Sequence, residues 1–240
     1  MKYLQKTLVT TTATIALSLN WSQLAQAITI TSTGTWSNPL GTAANVNGTG
    51  TNVISWGNPS NSSDPQSSYN FLGNEGVDLD DNELDGAVFK LGTFIHNNFP
   101  ILNFNFLGAT LNLNLDIKNG SILNQDFTFD FTHNETSNTP PCNPSGVTNC
   151  PDVVSIPDAT SSETIEINGR TYELKILGFS DTVDSPKVDQ FITEEGQANQ
   201  TMLFASLNDV SVPEPGSIIG ILTLTGLGLT SNQRKRSKQN

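Results

Sequence analysis

Two histidines are the residues of this chain most suited to chemistry, and they stand in similar sequence contexts. His96 and His133 each follow a phenylalanine-containing run and precede an asparagine. Imidazole titrates near neutral pH and is a common metal ligand, so these residues and the nearby Glu135 could form one site of metal ligands or acid–base groups. We prefer a structural interpretation from sequence alone, because a His-Asn step at a strand end can form a hydrogen bond in a turn.

An acidic segment offers a second candidate site, for calcium. Calcium takes six to eight oxygen ligands, and the oxygen-bearing side chains here include Asp78, Asp80, Asn82 and Asp85. The first three keep the opening spacing of an EF-hand loop. Glu83 and Phe89 then stand where that loop needs its glycine and its bidentate glutamate, so the segment is not an EF-hand. A looser calcium site stays open, and a solvated acidic turn is the preferred interpretation.

Two cysteines and two tryptophans complete the set of candidate site residues. Cys142 and Cys150 lie between Pro141 and Pro151, and an even count in an exported chain favours a disulfide over a metal or redox site. Trp36 and Trp56 lie in polar, glycine-rich sequence. Exposed rings there would suit stacking against a sugar, although filling the core is the commoner use of tryptophan.

The elements that must position these residues are predicted to be strands. Apolar residues alternate with polar ones over 102–106, 111–118 and 127–132, which is the pattern of strands with one buried face. Asn168-Gly169 separates two more alternating runs and predicts a hairpin with a type I′ turn. No stretch between the termini has a convincing helical period. We therefore predict an all-β domain, an antiparallel β-sandwich of jelly-roll-like form.

The charge of the chain excludes one class of partner. Its 11 Lys and Arg against 23 Asp and Glu give a net charge of −12. Nucleic-acid binding needs clustered basic residues, and six of the basic residues lie in the two termini, so we predict no nucleic-acid partner.

The two termini look like targeting segments, which divides the chain into three parts. Residues 1–27 have basic residues, an apolar run and Ala25-Gln26-Ala27, the features of a secretory signal peptide. Residues 213–240 contain Pro213, Glu214 and Pro215, then an apolar run and a basic cluster. That run predicts a short transmembrane helix, marginal for a hydrocarbon core about 30 Å thick. Residues 28–212 would form the mature domain.

The C-terminal segment resembles the PEP-CTERM sorting signal. This resemblance implies an exosortase as the processing partner, with Pro213, Glu214 and Pro215 as its recognition residues. It also implies transient insertion into the inner membrane, removal of the tail and transfer to the cell surface or matrix of bacteria that make exopolysaccharide.

The middle of the chain resembles the choice-of-anchor K domain over most of residues 31–208. The resemblance rests on residues 89–101, 129–136, 142–152, 169–172, 177–179 and 193–199. That family is defined without a biochemical activity, so it implies none here.

Together these features predict an exported, exosortase-processed protein of the cell surface or extracellular matrix that is not an enzyme and has no required cofactor. The alternative is a carbohydrate-binding module for extracellular polysaccharide, assisted by calcium. A third and weaker alternative is a hydrolase acting on glycans, although the sequence has no Gly-x-Ser-x-Gly nucleophile elbow.

Overall fold

The computed structural model describes residues 27–102, 105–119, 121–136, 150–156 and 164–211. These residues are all-β apart from one 3-10 helix at Asp81–Glu83. The strands, numbered β1 to β14 in chain order, are Ala27–Gly41, Val53–Trp56, Asn58–Pro59, Ser67–Gly73, Val77–Asp80, Val88–Asn98, Ile101–Leu102, Phe106–Asn119, Ser121–Asn134, Asp152–Ser155, Thr164–Ile167, Arg170–Ser180, Gln190–Thr193 and Gln197–Asp209.

Twelve of these strands form two antiparallel sheets of six strands each. Sheet 1 has the order β13-β10-β9-β8-β1-β5, and sheet 2 has the order β11-β12-β14-β6-β4-β2. The short strands β3 and β7 pair separately. The buried apolar side chains of the two sheets form one core between them, so the predicted antiparallel β-sandwich is confirmed.

The alternation of apolar and polar residues explains which face of each strand is buried. In β8 and β9, Leu113 pairs with Phe127 and both are buried. The intervening residues of these strands point outward, where the Asn114 amide donates hydrogen bonds of 2.6 and 2.7 Å to Asn124 and Asp126. Short polar side chains thus satisfy one another across the solvent face of sheet 1.

The predicted hairpin turn is confirmed at Asn168-Gly169. Both residues have positive φ, +54° and +74°, as a type I′ turn requires. Ile167 and Arg170 pair directly across the turn between β11 and β12.

The two tryptophans fill the core, as the commoner use of this residue indicated, and the alternative of an exposed aromatic platform is wrong. Trp36 and Trp56 are both 0% exposed, because their rings face the space between the sheets. Trp56 stacks on Phe106 with ring centroids 3.9 Å apart, and Trp36 packs edge-on against Phe131. Neither ring is available to stack on a sugar from solvent.

Several predictions concern residues that the structure does not describe. Apart from Ala27, the predicted signal peptide lies outside the described residues, and so does the predicted sorting segment with its helix. Among the described residues, no helix is long and apolar enough to cross a membrane. Cys150 is buried and is not a free thiol. Cys142 lies outside the described residues, so its disulfide with Cys150 stays a prediction.

Candidate functional site

The two histidines lie inside the sandwich rather than in turns. His96 follows Phe94 on the inward face of β6, and His133 follows Phe131 on the inward face of β9. Each imidazole therefore continues the period-two row of buried rings on its strand. The strands belong to opposite sheets, and the two imidazole centroids lie 5.2 Å apart, nearly perpendicular to each other. The structural interpretation of a turn hydrogen bond is thus wrong, and the two histidines do converge.

His133 contacts one hydroxyl and two carboxyl groups. Its Nδ1 lies 2.6 Å from the Tyr69 hydroxyl. Its Nε2 lies 3.1 Å from Glu135 Oε2 and 3.7 Å from Asp152 Oδ2. Glu135, which the sequence singled out beside His133, therefore belongs to the site.

His96 contacts a hydroxyl group that allows either tautomer. Nδ1 of His96 lies 2.8 Å from Thr193 Oγ1. When the Thr193 hydroxyl donates to the backbone carbonyl of Asp152, 3.3 Å away, it can accept from His96 Nδ1, and Nε2 is then an unprotonated acceptor. Nε2 of His96 has no hydrogen-bond partner among the described residues.

Sheet pairing brings Asp152 to the histidines. β10 lies between β9 and β13 in sheet 1, and Asp152, its first residue, pairs with Thr193. Oδ1 of Asp152 accepts a hydrogen bond from the Thr136 amide at 2.7 Å. The Thr136 hydroxyl lies 3.2 Å from the same oxygen and 2.7 Å from the Cys150 carbonyl oxygen, which is its closer acceptor. The amide bond orients the carboxyl group, and Oδ2 is left without a hydrogen bond.

The site collects most of the unpaired polar atoms in the described interior. Apart from the Trp36 indole nitrogen, the buried side-chain atoms without a hydrogen bond of good geometry belong to Trp56, His96, Asn98, Glu135, Asp152 and Glu195. The Trp56 indole still lies near enough to Glu135, and the Asn98 amide to Glu195, to stabilise those carboxylates. Leaving such a group unsatisfied costs about 1–3 kcal/mol. A concentration of them at one place indicates a built site rather than an accident of packing.

Three buried carboxyl groups of the site have raised pKa values, and no Lys or Arg among the described residues pairs with them. Burial raises the pKa of Glu135 to about 7, against a smaller opposing effect of the Trp56 indole N–H. Burial and neighbouring carboxyl groups raise the pKa of Asp152 to about 7 and that of Glu195 to about 8. Burial lowers the pKa of His133 to about 4.

Burial also fixes the charge of the remaining groups. It lowers the pKa of His96 well below its usual value, with a further contribution from His133. It raises the pKa of the Tyr69 phenol well above its usual value. Both imidazoles and the phenol are therefore neutral at pH 7.

A cavity reaches the site from the surface. It has a volume of about 510 Å³ and is lined by Thr42, Asn105, Phe106, Leu107, His133, Asn134 and Glu135. Glu135 and His133 thus belong to the wall of this cavity, with side chains that are 4% and 0% exposed.

Three residues of the cluster are close enough to share one ion. His96, His133 and Asp152 each have one possible ligand atom within 4.8 Å of the ligand atoms of the other two. Among the described residues, no other three His, Cys, Asp or Glu side chains meet this condition. Two chemical uses fit this arrangement. The nitrogen and oxygen atoms could ligate a cation, or the imidazole and carboxyl groups could share protons.

The residues of the predicted calcium site do not converge in this way. Asp78 accepts a hydrogen bond from Thr29, Asp80 accepts from the Asn82 amide within the 3-10 turn, and Asp85 accepts from the Asp209 amide. Each carboxyl group is exposed and serves a different local contact, so the structure supplies no preformed ligand set for calcium.

Tyr69, Asp152 and Thr193 were not identified from the sequence. They meet the histidines through register: Tyr69 pairs with His96 in sheet 2, and Thr193 pairs with Asp152 in sheet 1. For the histidines a signal did exist. Extending the alternation of Phe127, Phe129 and Phe131 by one step places His133 on the buried face.

Comparison with known proteins identifies no relative, because no protein-family model matches the chain and no curated protein matches it. The resemblances to the choice-of-anchor K domain and to the PEP-CTERM signal therefore stay hypotheses.

Proposed function

We propose that this chain is an exported protein of the cell surface or extracellular matrix, processed by an exosortase, whose jelly-roll-like β-sandwich acts without catalysis. The sandwich would be released between two processing sites, one after the signal peptide and one at the Pro-Glu-Pro motif. Insertion of the C-terminal helix into the inner membrane would be transient.

The observation that carries this proposal is the position of the strands relative to the proposed processing sites. β1 begins at Ala27 and, among the described residues, the first buried core side chain is Ile28. β14 ends at Asp209, before Pro213. Cleavage after Ala27 and removal of the tail would therefore leave all twelve strands of the two sheets paired, and the core formed by the described residues would lose no buried side chain.

The experiment is mass spectrometry of the protein recovered from the surface of a bacterium that carries an exosortase. We expect an N-terminus at Ile28 and no peptides from 217–240. Glu214→Ala should retain the tail, whereas Glu166→Ala, a matched change at an exposed strand position, should be processed normally. Recovery of the tail on the wild-type surface protein would contradict the proposal.

Carbohydrate binding is a second candidate function, favoured now by the cavity rather than by the tryptophans. Asn105, Asn134 and Thr42 supply amide and hydroxyl groups at its wall, and such groups can form hydrogen bonds with the hydroxyls of a sugar. The Phe106 ring is 0% exposed and is not available for stacking. A glycan array probed with and without calcium tests it. Binding that Asn105→Ala reduces would support this function, and an array without signal would remove it.

A further inference from the structure

We propose that His96, His133, Asp152 and Glu135 bind one divalent transition-metal ion of the zinc class, and that this ion links the two sheets of the sandwich. This site is independent of the proposed export and processing, and it differs from the calcium site predicted at Asp78–Asp85.

The spacing of three ligand atoms fits a single small ion, because one atom each of His96, His133 and Asp152 lies within 4.8 Å of the other two. Glu135 is not in that trio and adjoins it through His133. Nε2 of His133 lies 3.1 Å from Glu135 Oε2 and 3.7 Å from Asp152 Oδ2. Ligands of a tetrahedral zinc ion at about 2.0–2.1 Å stand roughly 3.3 Å from one another. The 5.2 Å between the two imidazole centroids is likewise close to the roughly 5 Å expected for two rings bound through Nε2 to one tetrahedral ion.

The hydroxyl groups around the site orient the imidazoles for ligation. Metal-bound histidines usually donate their other ring N–H to an oxygen, which fixes the tautomer. Thr193 can accept the Nδ1–H of His96 while it donates to the Asp152 carbonyl, and Nε2 has no hydrogen-bond partner among the described residues. Tyr69 lies on Nδ1 of His133 and can accept that N–H once Nε2 binds the ion. Thr136 orients the Asp152 carboxyl group in a similar way, because its amide donates to Oδ1 and Oδ2 is left without a hydrogen bond.

The charge of the site calls for a cation. Glu135, Asp152 and Glu195 bring three carboxyl groups together without Lys or Arg among the described residues, and a buried carboxylate needs a positive partner or a metal. A divalent ion would neutralise two of these charges. It would also occupy two atoms that have no hydrogen bond among the described residues, Nε2 of His96 and Oδ2 of Asp152.

The ligand types select the class of metal. Calcium and magnesium prefer oxygen ligands alone, whereas imidazole favours zinc, iron, nickel and copper. Two nitrogen and two carboxylate ligands complete a tetrahedron, and four protein ligands are the number found in a structural zinc site, although such sites are usually rich in cysteine. His96 comes from sheet 2, while His133 and Asp152 come from sheet 1, so the ion would join the sheets.

The first test is a metal titration of the full chain without an affinity tag. Because the sequence contains only two histidines, imidazole ligation can come from this site alone. After treatment with chelator, zinc at about 100 times its Kd should raise Tm by about 5–10 °C. Calcium or magnesium at the same concentration should not. Plasma mass spectrometry of protein reconstituted with zinc and then freed of excess ion should find one equivalent.

Substitutions locate the ion. His96→Gln and Asp152→Asn should each weaken zinc binding at least about tenfold, since even a change to a second-shell partner costs this much. Asp130→Asn, a carboxyl-to-amide change on the exposed face of β9, should bind as the wild type does. Visible absorption of bound Co²⁺ gives a readout that does not depend on stability.

A tetrahedral cobalt spectrum that His96→Gln removes would support the proposal. Three outcomes would overturn it: no zinc-specific rise in Tm, no cobalt spectrum in the folded wild type, or equal zinc affinity in His96→Gln, Asp152→Asn and the wild type.

Discussion

Replacing Tyr69 with phenylalanine tests the hydrogen-bond network around the histidines most directly. The substitution deletes one oxygen and leaves the ring, which packs against Trp56 and Phe94 at centroid distances of 4.7 and 5.0 Å. The hydroxyl is buried with the ring and lies 2.6 Å from His133 Nδ1. Its removal leaves that nitrogen buried without a partner.

The expected cost follows from this geometry. Leaving a buried acceptor unsatisfied costs about 1–3 kcal/mol, and no packing loss adds to it. For a domain of this size, each kcal/mol lowers Tm by about 2–4 °C. We therefore expect Tyr69→Phe to lower Tm by about 2–12 °C in the presence of chelator.

The assay is equilibrium unfolding in urea, with Tyr172→Phe as the matched control. The Tyr172 ring is 1% exposed, but its hydroxyl makes no hydrogen bond in the described part of the chain, so this change should stay within about 0.5 kcal/mol of wild type. An unchanged m-value would show that the same surface unfolds in each variant. If both variants lost equal stability, or if Tyr69→Phe lost none, the Tyr69–His133 hydrogen bond would be refuted.

Three further predictions concern the backbone, the pH dependence and the acidic patch. In urea unfolding, Gly108→Ala should lower the free energy of unfolding by more than about 2 kcal/mol, and Gly86→Ala should lower it by about 1 kcal/mol. Both glycines have positive φ, but a Cβ at Gly108 would also lie 1.9 Å from the Phe131 carbonyl oxygen, whereas a Cβ at Gly86 would meet nothing within 4 Å. With chelator present, stability should fall from pH 6.5 to 8, because the buried carboxyl groups of the site have pKa values raised to about 7–8 and lose their protons in this range. Below pH 6.5 the lowered pKa of His133 opposes this trend, so unfolding curves that are flat or rise between pH 6.5 and 8 would contradict the assignment. Calcium should not raise Tm beyond a sodium control of equal ionic strength, and Asp80→Ala and Asp85→Ala should leave that result unchanged.

Much of the sandwich could be predicted because one sheet face is buried and the other is wet. The runs through Leu113 and Phe127 specified their strands by period two, and Asn168-Gly169 specified its turn by its need for positive φ. The environment of Trp56 could not be predicted in this way. Polar, glycine-rich neighbours suggest exposure, but the ring is buried by packing on Phe106, which is distant in sequence.

The site was harder to predict because it depends on contacts between distant parts of the chain. His96 and Tyr69 meet through pairing of β6 with β4, and Asp152 meets His133 only because β10 returns to the edge of β9. Local spacing carries no trace of these registers. What the sequence did contain was the alternation that leads to each histidine, together with Glu135 two residues after His133.

A metal ion at the proposed site would be compatible with a protein that is not an enzyme if Glu135 is its fourth ligand. With Glu135 as fourth ligand, the coordination shell is filled by protein atoms, and a filled tetrahedral shell is typical of structural rather than catalytic zinc. The same side chain lines the cavity of about 510 Å³ that reaches the surface. If Glu135 left the ion, a solvent molecule from this cavity could take its place, and three protein ligands with one water form the catalytic arrangement. In the proposed site, the carboxyl group of Glu135 would therefore separate a metal that holds two sheets together from one that could activate water.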